Sequence, residues 1–180
     1  METKKDFVEK VKAYNQKSRK EFKETMSHLL THEKVKHLDT IKQHHKCTRL
    51  KHSVNVSYYS FYVAKLLGLD YQSAAKAGLL HDLHFNKETK EKIGIKENIK
   101  LLRNHPEEAL KNAAEICDLN DKEQDAIKRH MWLVTVKPPK YKEGYVVSFV
   151  DKYCAAKEFF SSVFSKKFQA KSFARLNRFY

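Results

Sequence analysis

The chain has 180 residues, room for one compact domain with or without a tail, and its 41% hydrophobic content gives it a core and sets it apart from disordered chains. It holds only 4 glycines and 3 prolines, none of the prolines before Pro106, which excludes a turn-rich β-sandwich or barrel and predicts an all-α domain. Lys and Arg number 36 against 22 Asp and Glu, a net charge of +14 that suits phosphate-bearing partners, nucleic acid included.

The excess is uneven. Residues 1–50 carry 13 basic and 7 acidic side chains, residues 101–150 carry 8 of each, and no acid follows Glu158. No apolar run approaches the ~20 residues of a membrane span, and the opening METKKDFVEK lacks the apolar segment of a secretory signal. Cys47, Cys117 and Cys154 form no CxxC pair. The expected setting is a reducing cytoplasm, without disulfides or membrane association.

Along the chain, Phe7, Val11, Tyr14, Phe22, Met26, Leu29 and Leu30 recur at helical steps. Val35, Leu38 and Ile41 extend the pattern to His44-His45. In KHSVNVSYYSFYVAKLLG, His52, Val56, Tyr59, Val63 and Leu67 share a stripe, with Gly68 where a C-terminal cap belongs and Asp70 placed to open the next helix. That helix, YQSAAKAGLLHDL, sets Ala74, Ala77, Gly78 and His81 on one face, small enough for another helix to approach closely. Residues 84–104 are polar, lysine-rich and interrupted by Gly94, and are expected to be a loop with short helices. Pro106 is expected to start the next helix, Asn120 or Asp121 to cap one running to His130, and Pro138-Pro139 to keep 132–142 irregular. A last long helix is predicted over roughly 143–165. The tail FQAKSFARLNRFY then either packs its aromatic side on the bundle or attracts a polyanion.

The chemistry is carried by polar residues set where the pattern predicts burial. His81-Asp82 ends an Ala/Gly/Leu-rich helix, His52 heads an apolar stripe, and His105 precedes Pro106. His130 follows Ile127 on a buried face, and Asp151 lies between Val147 and Cys154. Buried imidazoles and carboxylates need partners. Each is either a hydrogen-bonded core residue or a ligand, and imidazole with carboxylate is a donor set that transition metals take. The intervals of 29, 23, 25 and 21 residues are each about one helix plus a connection, so successive helices can deliver one ligand apiece to a pocket.

The order His52, His81-Asp82, His105, His130, Asp151 resembles the H…HD…H…H…D signature of HD-domain metal-dependent phosphohydrolases. The local strings LKHSVNVSYYSFYVAKLLGLD, KAGLLHDL, NHPEEAL, AIKRHMW and VSFVDKYCAAKE agree, over about residues 40–160. Gln43-His44 also matches a QH dipeptide found eight residues before the first ligand in a bacterial branch annotated only as HD-domain proteins. The resemblance implies an HD-like helical bundle with a metal site in its core. Residues 1–39 would be a helical extension packed on that core, 40–165 the HD domain and 166–180 a basic aromatic tail.

Carried over, His52, His81, Asp82 and Asp151 hold one divalent ion, and His105 and His130 hold a second with Asp82 bridging. Nitrogen and carboxylate ligands suit Fe, Mn, Co, Ni or Zn. The implied activity is hydrolysis of a phosphomonoester or phosphodiester of a nucleotide or similar small phosphate by a metal-activated hydroxide. His84 or His44 would supply the leaving-group proton. Lys87, Lys137 and Lys152, together with Thr48 and Arg49, would meet substrate phosphate or ribose. Where phosphohydrolases often place an acid soon after the doublet, this chain reads Leu83-His84-Phe85-Asn86-Lys87, with Glu88 nearest. A di-iron oxygenase on the same ligands, and a nucleic-acid-binding or regulatory module with a structural metal, are the alternatives.

Overall fold

The computed structural model describes residues 4–44, 47–85 and 95–164. Among these, seven α-helices account for nearly all regular structure: α1 (Lys4–Leu30), α2 (Glu33–His37), α3 (Arg49–Leu66), α4 (Tyr71–Leu80), α5 (Ile95–Ala114), α6 (Asp121–Arg129) and α7 (Lys142–Phe164). The fold is all-α. The one sheet among the described residues is a two-stranded antiparallel ribbon, β1 (Lys42–His44) with β2 (Cys47–Thr48).

Helix ends follow local chemistry. The Thr48 hydroxyl accepts from the Lys51 amide to cap α3, and Gly68, at φ +66°, takes the left-handed turn that ends it. Asp70 caps α4 through the Ser73 amide, and Asn120 and Glu123 form a reciprocal capping box on α6. The small residues of α4 do what their size predicts. A Cβ on Gly78 would meet the Ser57 backbone at 3.0 Å, so α3 and α4 touch main chain to main chain there, and the Ser57 hydroxyl donates to the Ala75 carbonyl at 2.7 Å.

One core joins these elements. Phe22, Met26 and Leu29 of α1 pack in the same cluster as Val54 and Phe61 of α3, Leu79 and Leu80 of α4, and Val147 of α7. Burying Phe22, with its edge-on contacts to Tyr58 and Phe61, contributes on the order of 1.5–3 kcal/mol.

Two expectations are corrected. Helix α5 begins at Ile95, and Pro106 lies inside it rather than at its start. The residues before it (IKENIKLLRN) are mostly good helix formers, and they absorb a proline whose lost main-chain bond costs about 3 kcal/mol. Helical periodicity also stops earlier than expected. Beyond α2, residues Leu38–Thr40 form one turn of 3-10 helix, and the chain then pairs as β1 and β2. The Arg49 amide donates to the Ile41 carbonyl at 2.8 Å and closes the ribbon onto the start of α3. Lys87, Glu88, His45 and the tail 166–180 lie outside the described residues. Among the described residues no helix is long and apolar enough to cross a membrane.

Candidate metal centre

His81 and His130 are placed by the same device. Each sits at the C-cap of its helix, α4 and α6, where the last carbonyls lack helical partners. The His81 Nδ1–H donates to the Gly78 carbonyl at 2.8 Å, and the His130 Nδ1–H donates to the Ile127 carbonyl at 2.7 Å. Both bonds fix the tautomer, leaving each Nε2 lone pair aimed away from the helix end. His52, in the first turn of α3, directs Nε2 to Asp151 Oδ1 of α7 at 3.0 Å.

These atoms converge around Asp82. His81 Nε2 lies 3.6 Å from Asp82 Oδ2 and 3.5 Å from Asp151 Oδ1. On the other side, Asp82 Oδ1 is 3.5 Å from His105 Nε2 and 3.7 Å from His130 Nε2, and those two nitrogens are 3.0 Å apart. The ligand atoms of His52, His81 and Asp82 lie within 4.8 Å of one another, as do those of Asp82, His105 and His130. The structure therefore brings all six predicted ligands together in two groups that share Asp82. We call them the inner half (His52, His81, Asp82, Asp151) and the outer half (Asp82, His105, His130).

The donor set fits a divalent cation. Ligands ~2.1 Å from one ion stand about 3.0 Å apart at a right angle and about 3.4 Å apart at a tetrahedral angle; the cluster's separations start at 3.0 Å and run to 3.7 Å, slightly wider than those edges. Among the described residues, His81 Nε2 is buried and has no hydrogen-bond partner. With Nδ1 committed to Gly78, its lone pair faces two carboxylates, an arrangement that is repulsive unless positive charge lies between them.

Titration behaviour has the same sign. Burial works to lower the His52 pKa, yet hydrogen bonds to Asp151 and Glu158 carry it up to about 10. His81 is raised as well, against its burial, by Asp82 and then Asp151. Burial would raise both carboxyls, but the surrounding imidazoles hold Asp82 and Asp151 well below the usual range. His130 behaves oppositely: burial, then the neighbouring His81, push it down to about 3.

Two contacts to the cluster went unread in the sequence. Glu158 holds His52 Nδ1 with both oxygens, at 3.2 and 3.1 Å. It lies seven residues after Asp151, two helical turns along the same face, and that spacing was the available signal. Gln43, reached only through its dipeptide, donates to Asp82 Oδ2 at 2.9 Å and accepts from Arg49 Nε at 2.7 Å. The thiols are not comparable donors. Burial and then Glu158 push Cys47 up to about 12, and burial raises Cys154 too.

Several of the expected substrate contacts are engaged within the protein. The Lys152 ammonium spends its three N–H groups on the His130 carbonyl, the Ser148 carbonyl and the Ser148 hydroxyl, at 2.9, 3.2 and 2.9 Å, so it braces His130 instead of facing phosphate. Burial, then the Arg49 charge, lower His84 to about 4, so at neutral pH it carries no spare proton. Arg49 is buried, donating to the His84 carbonyl at 2.6 Å and lying 3.2 Å from His84 Nδ1. Thr48 caps α3 and donates to Asp39 at 2.8 Å. Lys137 is exposed in the α6–α7 connection. His44 contributes backbone to β1, and its side chain lies outside the described residues.

No family model, no curated protein and no solved structure matches the chain.

Proposed function

We propose that the chain is a metal-dependent phosphohydrolase of the HD-domain type, acting on a phosphomonoester or phosphodiester of a nucleotide or similar small phosphate. The observation that carries this reading is the Asp82 cluster, in which imidazole nitrogens and carboxylate oxygens face one another across two halves. Two divalent ions held there would supply Lewis acidity, lowering the pKa of water and polarising a phosphoryl group.

The chain's own residues do the rest. Asp82 is shared between the halves, and Gln43 holds its Oδ2, the oxygen on the His81 side, in place. His84 and His105 are half-buried while His52, His81 and His130 are buried, so substrate approaches from the His84–His105 side. With Nδ1 turned to Arg49, His84 presents Nε2–H as a hydrogen-bond donor to a phosphoryl oxygen. The +14 charge concentrates anionic substrates near the surface and suits nucleic acid as a polymeric partner.

The test is a phosphate-release screen across nucleotides and simple phosphate esters, using protein loaded with Mn, Fe, Co, Ni or Zn. Metal-dependent release from at least one ester, lost in Asp82→Ala, is the expected result. Metal-loaded protein that releases nothing would contradict the proposal. Oxygen uptake by the iron form would move the reading to an oxygenase, and salt-sensitive RNA binding without turnover would move it to a binding module.

A further inference from the structure

His52 differs from the other two buried imidazoles in how its orientation is obtained. His81 and His130 use carbonyls left over at helix ends. His52 lies in the first turn of α3, where carbonyls behind it belong to the helical ladder. Its Nδ1–H needs an acceptor from another element, and Glu158 of α7 supplies one with both oxygens. That side chain is only 12% exposed.

We propose that Glu158 is a positioning residue of the metal centre: its carboxylate holds the Nδ1–H of His52 and so commits His52 Nε2 to the ion of the inner half. The inference rests on the metal-binding part of the reading above and not on any particular reaction. Asp151 and Glu158, about 10 Å apart along one face of α7, address opposite nitrogens of one ring. With Nδ1 donating to a carboxylate, Nε2 keeps its lone pair and becomes more basic, as in carboxylate–histidine–metal triads. Glu158 meets the cluster through His52, a member of the inner half, so its influence is expected at that half's ion.

The experiment is a cobalt(II) titration of metal-free protein, with the two binding steps resolved by calorimetry and visible absorbance. Glu158→Ala is expected to weaken the inner-half step by ~10–100-fold and to leave the outer-half step within about twofold. Glu158→Gln keeps an acceptor for Nδ1–H but removes the charge, and is expected to fall between Glu158→Ala and the wild type. If the Ala variant does not fold, the Gln variant alone carries the test. Repeating it in His105→Ala, which isolates the inner half, should show the whole loss on the single remaining ion. Equal weakening of both steps would reduce Glu158 to a general structural role and overturn the inference, as would no weakening of either. Wild-type protein that takes up no cobalt would overturn the metal reading itself, and this inference with it.

Discussion

The two halves of the Asp82 cluster are built from the same residue types yet are balanced differently. In the inner half, two imidazoles face the carboxylates of Asp82 and Asp151, with Glu158 behind His52, and both imidazoles are pushed toward the charged form. In the outer half, two imidazoles share one oxygen of Asp82, and His130 is driven to the neutral form, at about 3. What differs is the ratio of carboxylate to imidazole. The inner half holds protons when it holds no metal, whereas the outer half offers His130 as a neutral imidazole in contact with His105. Metal uptake should therefore be tight and proton-coupled on one side, weaker and largely proton-independent on the other.

The largest effect should come from removing what the halves share. Asp82→Ala is expected to abolish both binding steps, a loss exceeding the ~10–100-fold seen for residues that only orient a ligand. Metal analysis of the purified variant checks this; retention of either ion would break the bridging assignment.

His105→Ala should be more selective, removing the outer ion and leaving the inner one. Stoichiometry by mass spectrometry under native conditions reads the difference. Loss of both ions together would mean the halves are one site.

A pH series sharpens the contrast further. His52 is raised from ~6.5 to about 10, so its stabilising contribution to the metal-free protein is complete below ~6.5 and fades as pH climbs through about 10. Asp82 and Asp151 are lowered, so theirs is present above ~3.9 and fades on acidification. The melting temperature of metal-free protein should fall between pH 6.5 and 10, and the increment gained on adding metal should grow over the same interval. A flat profile would contradict the protonated inner half.

The smallest expected effect concerns Lys152. Replacing it with Met removes these three bonds, although the His130 carbonyl keeps the Ser148 hydroxyl as a donor at 2.7 Å, and is expected to cost about 1–3 kcal/mol. Substrate KM should stay near wild type in a steady-state assay. A large rise in KM would restore Lys152 as a phosphate contact.

Much of this arrangement was legible before any coordinates. Helices α1, α3, α4, α6 and α7 announce themselves by apolar spacing, and Gly68, Asp70 and Asn120 end or open helices as their chemistry dictates. The six candidate ligands were legible because polar residues at predicted core positions need an explanation and because their order resembles the H…HD…H…H…D signature. The β1–β2 ribbon was not, since strands of three and two residues carry no alternation to read. Pro106 misled because proline suits a helix start and only rarely an interior. Lys152 and His84 misled for a different reason. What they do depends on a carbonyl 22 residues away and on a buried Arg49, neither of which residue type reveals.

The most direct test of the central claim is the metal stoichiometry of the wild-type chain. Metal-free protein titrated with manganese or cobalt should take up two ions per chain in two steps, the tighter releasing protons and the weaker releasing few. One ion, no ion, or two identical and independent steps would contradict a cluster divided at Asp82.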